Sequence, residues 1–173
     1  MMNSIAWWPT LIVLVVATIW DIRTRRIPNW LVFPFLLAGI VTSTALHGWT
    51  GLENSLLGVS LAAGLLGILY WLGGMGIGDV KLCAAIGAWV GPAQLALALV
   101  VMGMAGGVMA LVWAICGGFL GESLRGTSDL IFGFARRGLR PHAKLVLANP
   151  ATRKMPYAPA IAIGTIFSFL AVR

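Results

Sequence analysis

The run IAWWPTLIVLVVATIW, residues 5–20, followed at once by DIRTRR, residues 21–26, decides the fold class. The first stretch carries no charge, whereas the second carries one carboxylate and three arginines. A bilayer crossing needs about 20 mostly apolar residues, and cationic residues collect where such a helix leaves the membrane. No Lys or Arg precedes the apolar run, so a cleaved signal peptide is not expected. The stretch predicts a transmembrane helix that belongs to the mature protein.

The composition of the whole chain agrees with this prediction. Of its 173 residues, 60% are hydrophobic and 10% are charged, whereas a soluble domain carries about 25% charged residues. A soluble enzyme, a disordered tail and a nucleic-acid-binding module are therefore excluded. The two cysteines, Cys83 and Cys116, lie in apolar runs without metal-ligand spacing, so both are expected to be buried small hydrophobes.

Apolar runs at six places predict an all-α, polytopic membrane protein with one transmembrane domain over residues 1–173. The predicted spans cover about residues 5–20, 30–46, 56–72, 80–90, 93–119 and 157–172. The fourth is the shortest, because Gly91 and Pro92 end it, and it needs a tilt or snorkelling by Lys81 to cross. Gly103 with Gly107, and Gly64 with Gly67, are at spacings typical of close helix packing.

The basic residues predict the orientation of these spans. With six crossings, eleven of the twelve Lys and Arg residues share one side, and the positive-inside rule makes that side cytoplasmic. Both termini are then outside. The segment of about residues 120–156 becomes a basic cytoplasmic loop, either a helix on the membrane surface or a loosely ordered connection.

Two of the five acidic residues are expected at the same membrane depth. Asp21 closes the first span and Asp79 opens the fourth, so the predicted topology puts both at the cytoplasmic ends of their helices. Ionisable groups at membrane depth are costly and usually functional. Two structural alternatives stay open, because Asp21 could pair with Arg25 on its own helix and Asp79 could be a helix N-cap. The remaining acids fall in loops and are expected to be solvated: Glu53, Glu122 and Asp129.

Glycines directly before Asp79 form the run WLGGMGIGDVKL, residues 71–82. Such a run is a poor helix, and it could let the backbone of a substrate approach closely, with Gly76 and Gly78 as candidate substrate-binding residues. A flexible turn between two spans is the alternative. Lys81 stands two residues after Asp79 and does not share its helix face, so a structural role or a headgroup contact is expected.

Three blocks of the chain resemble the type IV prepilin peptidases. WDIRTRRIPNWL at residues 20–31 is similar to their first block, GMGIGDVKL at 74–82 to their GxGD block, and MPYAPAIAIG at 155–164 to the start of their last span. The resemblance implies an aspartic endopeptidase with Asp21 and Asp79 as its catalytic pair. It also implies cleavage of the basic leader of prepilins at the cytoplasmic face of the bacterial inner membrane, without a cofactor or a metal.

The short chain most resembles the peptidases of the Tad system, which process Flp-type pilins. Because no methyltransferase domain is seen, cleavage without methylation is expected, and an archaeal preflagellin peptidase fits the first block less well. The partners implied are the prepilin, the lipid bilayer and a pilus-assembly system, with no nucleic acid. A presenilin-like protease, a proton-coupled transporter using the two acids as a relay, and a non-enzymatic pilus-assembly protein are the other hypotheses.

The chemistry of two neighbouring carboxylates suits peptide hydrolysis. Such a pair shares one proton, because like charges in contact do not easily both form. The ionised member can take a proton from water while the protonated member polarises the scissile carbonyl. Which aspartate has which role is left open by the sequence, because the pair titrates as a unit.

Overall fold

The computed structural model describes residues 2–72, 74–117 and 156–171, and all regular structure within these ranges is helical. The helices are α1 (Met2–Thr24), α2 (Asn29–Trp71), α3 (Ile77–Cys116) and α4 (Ala158–Ala171). By length and composition, α1, α2 and α3 can each cross a membrane, and α4 is a shorter apolar helix. The all-α prediction is confirmed.

A glycine breaks each of the two long helices. Gly48 in α2 has φ 59° and ψ −136°, and Gly91 in α3 has φ 75° and ψ 176°. Glycine adopts a positive φ readily because it has no Cβ, whereas in other residues the Cβ clashes with the backbone and raises the free energy of this conformation. Each long helix therefore consists of two helical segments joined without a loop, and the structure differs from the six separate helices expected from the sequence in this respect.

The two segments of α2 fold back on each other at Gly48. The Ser43 hydroxyl donates a hydrogen bond of 3.0 Å to the carbonyl of Gly51, although a straight helix would separate them by about 12 Å. Farther from the break, a Cβ on Gly39 would lie 2.7 Å from Cδ1 of Trp89, and the Ser55 hydroxyl donates a hydrogen bond of 2.7 Å to the carbonyl of Ala88. Both segments thus contact the same turn of α3.

The first segment of α3 is the most buried part of the described protein. Nearly every residue from Asp79 to Gly91 is buried, among them Leu82 and Ile86. Glycines allow the closest approaches: the backbones of Gly58 in α2 and Gly87 in α3 touch, and a Cβ on Gly87 would also lie 2.9 Å from Leu95 beyond the break. The core is therefore built around this short helical segment.

Helix α4 lies against both α3 and α1. Gly164 packs on the backbone of Ala98 and on Met102 of α3. On the other side, α1 packs mainly against α4, and Trp7 meets Phe169 edge to face with ring centroids 5.1 Å apart. Through these contacts α4 connects α1 to the rest of the bundle.

Two packing predictions from the sequence are wrong. A Cβ on any of the four glycines at the expected spacings would meet nothing within 4 Å: Gly64, Gly67, Gly103 and Gly107. Their faces point away from the other described helices, so spacing alone did not identify the glycines that pack. Cys83 is buried as expected, but Cys116 is exposed because it lies in the last turn of α3.

Several predicted features lie outside the described residues. They are the basic segment of about residues 120–156 with Glu122 and Asp129, and Gly73 in the glycine run.

Candidate active site

Asp21 lies in the last turn of α1 and is buried, with 5% of its surface exposed. Its Oδ2 accepts a hydrogen bond of 3.0 Å from the backbone N–H of Ala158 in α4. The helix ends just beyond it, because Arg25 has a positive φ of 52° and its N–H donates to the Asp21 carbonyl at 2.7 Å. Among the described residues the carboxylate has no ion pair with Arg25, so that structural alternative is wrong and the partner comes from another helix.

Asp79 lies in the first turn of α3 and is 9% exposed. Gly76 is the N-cap of this helix, with an extended backbone at φ −77° and ψ 142°, and it accepts the Asp79 N–H at 3.2 Å. Asp79 is therefore the third helical residue, and the N-cap alternative is wrong. An acid at this position is favoured by the positive end of the helix dipole.

The structure brings the two carboxyl groups together. The Asp79 carboxyl lies near enough to Asp21 for the two to interact electrostatically, and the phenol of Tyr157 lies within the same range of Asp79. The Tyr157 ring lies over Gly106 of α3, where a Cβ would come within 3.4 Å of it. Three helices, α1, α3 and α4, thus converge at one end of the bundle on a buried pair of acids.

The two candidate glycines lie beside this pair for different reasons. A Cβ on Gly76 would lie 3.1 Å from Oδ2 of Asp79, so this glycine leaves room for the carboxylate itself. A Cβ on Gly78 would lie 3.2 Å from Cβ of Ile27, which belongs to the connection between α1 and α2. Neither has a positive φ, so both are needed for space rather than for backbone conformation. A role in substrate binding stays a prediction.

Lys81 has the structural role that the sequence indicated. Its Nζ donates to Oδ1 of Asn29 at 3.3 Å and lies 5.4 Å from the ring centroid of Phe33, both in the first turns of α2. Nearby, Trp20 and Trp30 meet edge to face at 5.9 Å across the connection. The block around Asp21 and the block around Asp79 are therefore in direct contact.

Comparison with known proteins identifies the family. Residues 8–111, which include both aspartates, match the Type IV leader peptidase family. The chain belongs to this family. No solved structure matches it.

Curated relatives within the family carry the name prepilin leader peptidase/N-methyltransferase. The protein of Pectobacterium carotovorum is 32% identical over an alignment that covers 96% of this chain and 52% of that protein. The protein of Escherichia coli K12 is 35% identical over 50% of this chain and 41% of its own length, and that of Aeromonas hydrophila is 33% identical over 57% and 36%. The chain thus spans between about a third and about half the length of these leader peptidases.

Sequence reasoning missed the part of the site that α4 supplies. Neither Tyr157 nor the N–H of Ala158 was a candidate, although both lie in the block of residues 155–164 that resembles the start of the family's last span. One signal was present, because Pro159 is typical of the first turn of a helix, where free N–H groups are found. Which atoms these free N–H groups contact depends on tertiary packing, and a proline in the sequence gives no information about that packing.

Proposed function

We propose that this protein is a membrane aspartic endopeptidase that removes the basic leader of type IV prepilins. The observation that carries the proposal is the buried pair of carboxyl groups, Asp21 and Asp79, on two helices that meet at one end of the bundle. Membership of a leader peptidase family supports the same activity. Burial of two acids near each other costs stability, and such costs are typical of functional sites.

The pair can hydrolyse a peptide bond without a covalent intermediate. One carboxylate takes a proton from a water molecule as that water attacks the scissile carbonyl carbon. The other carboxyl, still protonated, donates a hydrogen bond to the carbonyl oxygen and stabilises the charge that develops there. A neutral tetrahedral diol forms when this second carboxyl passes its proton to the oxygen. The diol collapses as the C–N bond breaks: the first carboxyl gives the proton taken from water to the leaving amine, and a diol hydroxyl returns a proton to the second carboxylate. Exclusion of water by the surrounding helices strengthens each of these interactions.

We further propose that the chain crosses the membrane six times, with both termini outside and the aspartates at the cytoplasmic face. The breaks at Gly48 and Gly91 support this count, since each would turn one long helix into two crossings. Trp49, directly after the first break, is 73% exposed, as a residue at a turn outside the core would be. The distribution of Lys and Arg supports the orientation.

The topology is tested with reporter fusions. A reporter active only outside should work when it is fused after Trp49 and fail when it is fused after Gly138. The reverse pattern would place the aspartates on the wrong side for a cytoplasmic leader and would contradict the orientation.

The proposed substrate is a Flp-type prepilin of a bacterial Tad system, processed at the inner membrane by cleavage of its leader. The resemblance of the chain to the short peptidases of that system supports this choice. Anionic lipid headgroups near Arg23, Arg25 and Arg26 would offset the repulsion between these arginines and a cationic leader. A pilus-assembly system would then incorporate the processed pilin.

The activity is tested with the purified protein in detergent and a Flp-type prepilin. Asp21→Asn and Asp79→Asn should each lower the cleavage rate by about 10²- to 10⁴-fold, because Asn preserves shape but cannot exchange a proton. Glu53→Gln is the matched control, since Glu53 is exposed and should keep the full rate. Wild-type cleavage in either Asn variant would contradict the catalytic pair. Absence of cleavage by the wild-type protein, together with proton flux in vesicles, would favour a transporter.

A further inference from the structure

The start of α4 lies where the two helices that carry the aspartates approach each other. The contacts of Trp7 with Phe169 and of Asp21 with Ala158 show that α1 and α4 run antiparallel along each other. On its other side α4 is fixed to α3 through Gly164. Asp21 is thus held against a helix that is itself fixed to the helix of Asp79.

The first turn of α4 has one backbone donor aimed at the site. The Tyr157 carbonyl accepts the N–H of Ile161 at 3.1 Å, so Tyr157 is the N-cap and Ala158 is the first helical residue. The first N–H groups of a helix have no partner within it. At the second position Pro159 has no N–H, and at the first position the N–H of Ala158 bonds to Asp21.

The hydrogen bond is shielded from water on both sides. Ala158 has no exposed surface, and Asp21 is 5% exposed. A buried donor without a partner is costly, so each group satisfies the other. The torsion that orients an Asp carboxylate has a broad energy minimum, and this contact restricts it.

We propose that the backbone N–H of Ala158 is a positioning group for catalysis. It holds Oδ2 of Asp21 and thereby leaves the other carboxylate oxygen directed at the reacting water or at the proton shared with Asp79. The inference deepens the proposed peptidase function and rests on it. It extends the catalytic apparatus from the helices of the two aspartates to α4.

The test removes this one hydrogen atom. Replacing Ala158 by its α-hydroxy analogue, lactic acid, through nonsense suppression turns the amide into an ester that lacks the N–H. The matched control is the α-hydroxy analogue of isoleucine at position 161. Both replacements weaken the same first-turn hydrogen bond between the Ile161 N–H and the Tyr157 carbonyl. The replacement at Ile161 removes the donor of this bond, and the replacement at Ala158 turns its acceptor into an ester carbonyl, which is a weaker acceptor. The change at Ala158 alone removes the donor to Asp21.

The readouts are kcat, KM and the thermal midpoint in detergent, measured per mole of folded protein. The Ala158 ester should lower kcat by about 10- to 100-fold with KM unchanged, as expected for a bond to a charged group. The Ile161 ester, which keeps the donor to Asp21, should keep most of the wild-type kcat, and its thermal midpoint should fall less than that of the Ala158 ester.

Equal kcat values in the two ester variants would overturn the inference, because the N–H would then have only a structural role. So would an Ala158 ester that is as active as the wild type. If Asp21→Asn and Asp79→Asn are inactive in the same assay, either of these results overturns only the role of the Ala158 N–H and leaves the peptidase function in place. If both Asn variants are active, the proposed function itself fails.

Discussion

The two aspartates are positioned by different parts of the chain. Asp79 is positioned by its own neighbours in sequence, because Gly76 caps its helix, accepts its N–H and leaves room for its carboxylate. Asp21 is positioned by α4, through the N–H of Ala158 far away in the chain. Local substitutions should therefore disturb Asp79, whereas remote substitutions on α4 should disturb Asp21.

The largest effect is expected where α4 meets α3. A Cβ on Gly164 would press on the Ala98 carbonyl and lie 2.8 Å from the Met102 nitrogen, which are backbone atoms that cannot rotate away. Gly164→Val should therefore destabilise the fold by about 3 kcal/mol, the upper end of the usual overpacking cost, and displace the donor of Asp21. Thermal unfolding in detergent and cleavage measure the two effects.

Gly107→Val is the matched control for Gly164→Val. Gly107 is also a helical glycine in the apolar part of the bundle, but among the described residues a Cβ there would meet nothing within 4 Å. Its substitution should leave both the thermal midpoint and the cleavage rate close to wild type. If the two valine variants unfold alike, α4 does not hold the bundle together in the way that the contacts indicate.

A smaller effect is expected from a substitution at Gly78, the residue directly before Asp79. Gly78→Val would force Ile27 away from the first turn of α3, because a Cβ on Gly78 would already lie 3.2 Å from Cβ of Ile27. We expect cleavage per mole of folded protein to fall about tenfold, which is about 1.4 kcal/mol in the barrier. Gly74→Val is the control, since within the described part of the chain a Cβ on Gly74 would meet only the Leu69 carbonyl, at 3.6 Å. Equal activities of the two variants would mean that the glycine run is only a connector.

The smallest effect is expected at Lys81. Lys81→Met removes the bond to Asn29 and the contact with the Phe33 ring but keeps most of the apolar stem. Since the charged group is exposed, the loss of stability should be at most about 1 kcal/mol. Cleavage should remain near the wild-type rate. A large loss of activity without loss of stability would instead make Lys81 part of the catalytic site.

The sequence predicted the helices better than it predicted how they pack. Apolar runs gave the helical class, and Gly91 with Pro92 marked one of the two breaks correctly. Spacing suggested packing at Gly103 and Gly107, yet the close contacts are at Gly58, Gly87 and Gly164. A glycine pattern shows that a close approach is feasible, but not which face of the helix meets a neighbour.

The sequence by itself determined the helical membrane character, the break at Gly91 and the two acids, because hydropathy, backbone freedom and charge are properties of short segments. Only the tertiary structure decided that Asp21 turns to α4 rather than to Arg25, and that the phenol of Tyr157 and the N–H of Ala158 join the site. The physical reason is that a buried carboxylate has lost its hydrogen bonds to water and needs a hydrogen-bond donor from the protein instead. That donor lies 137 residues away in the chain, and only packing brings it within 3.0 Å.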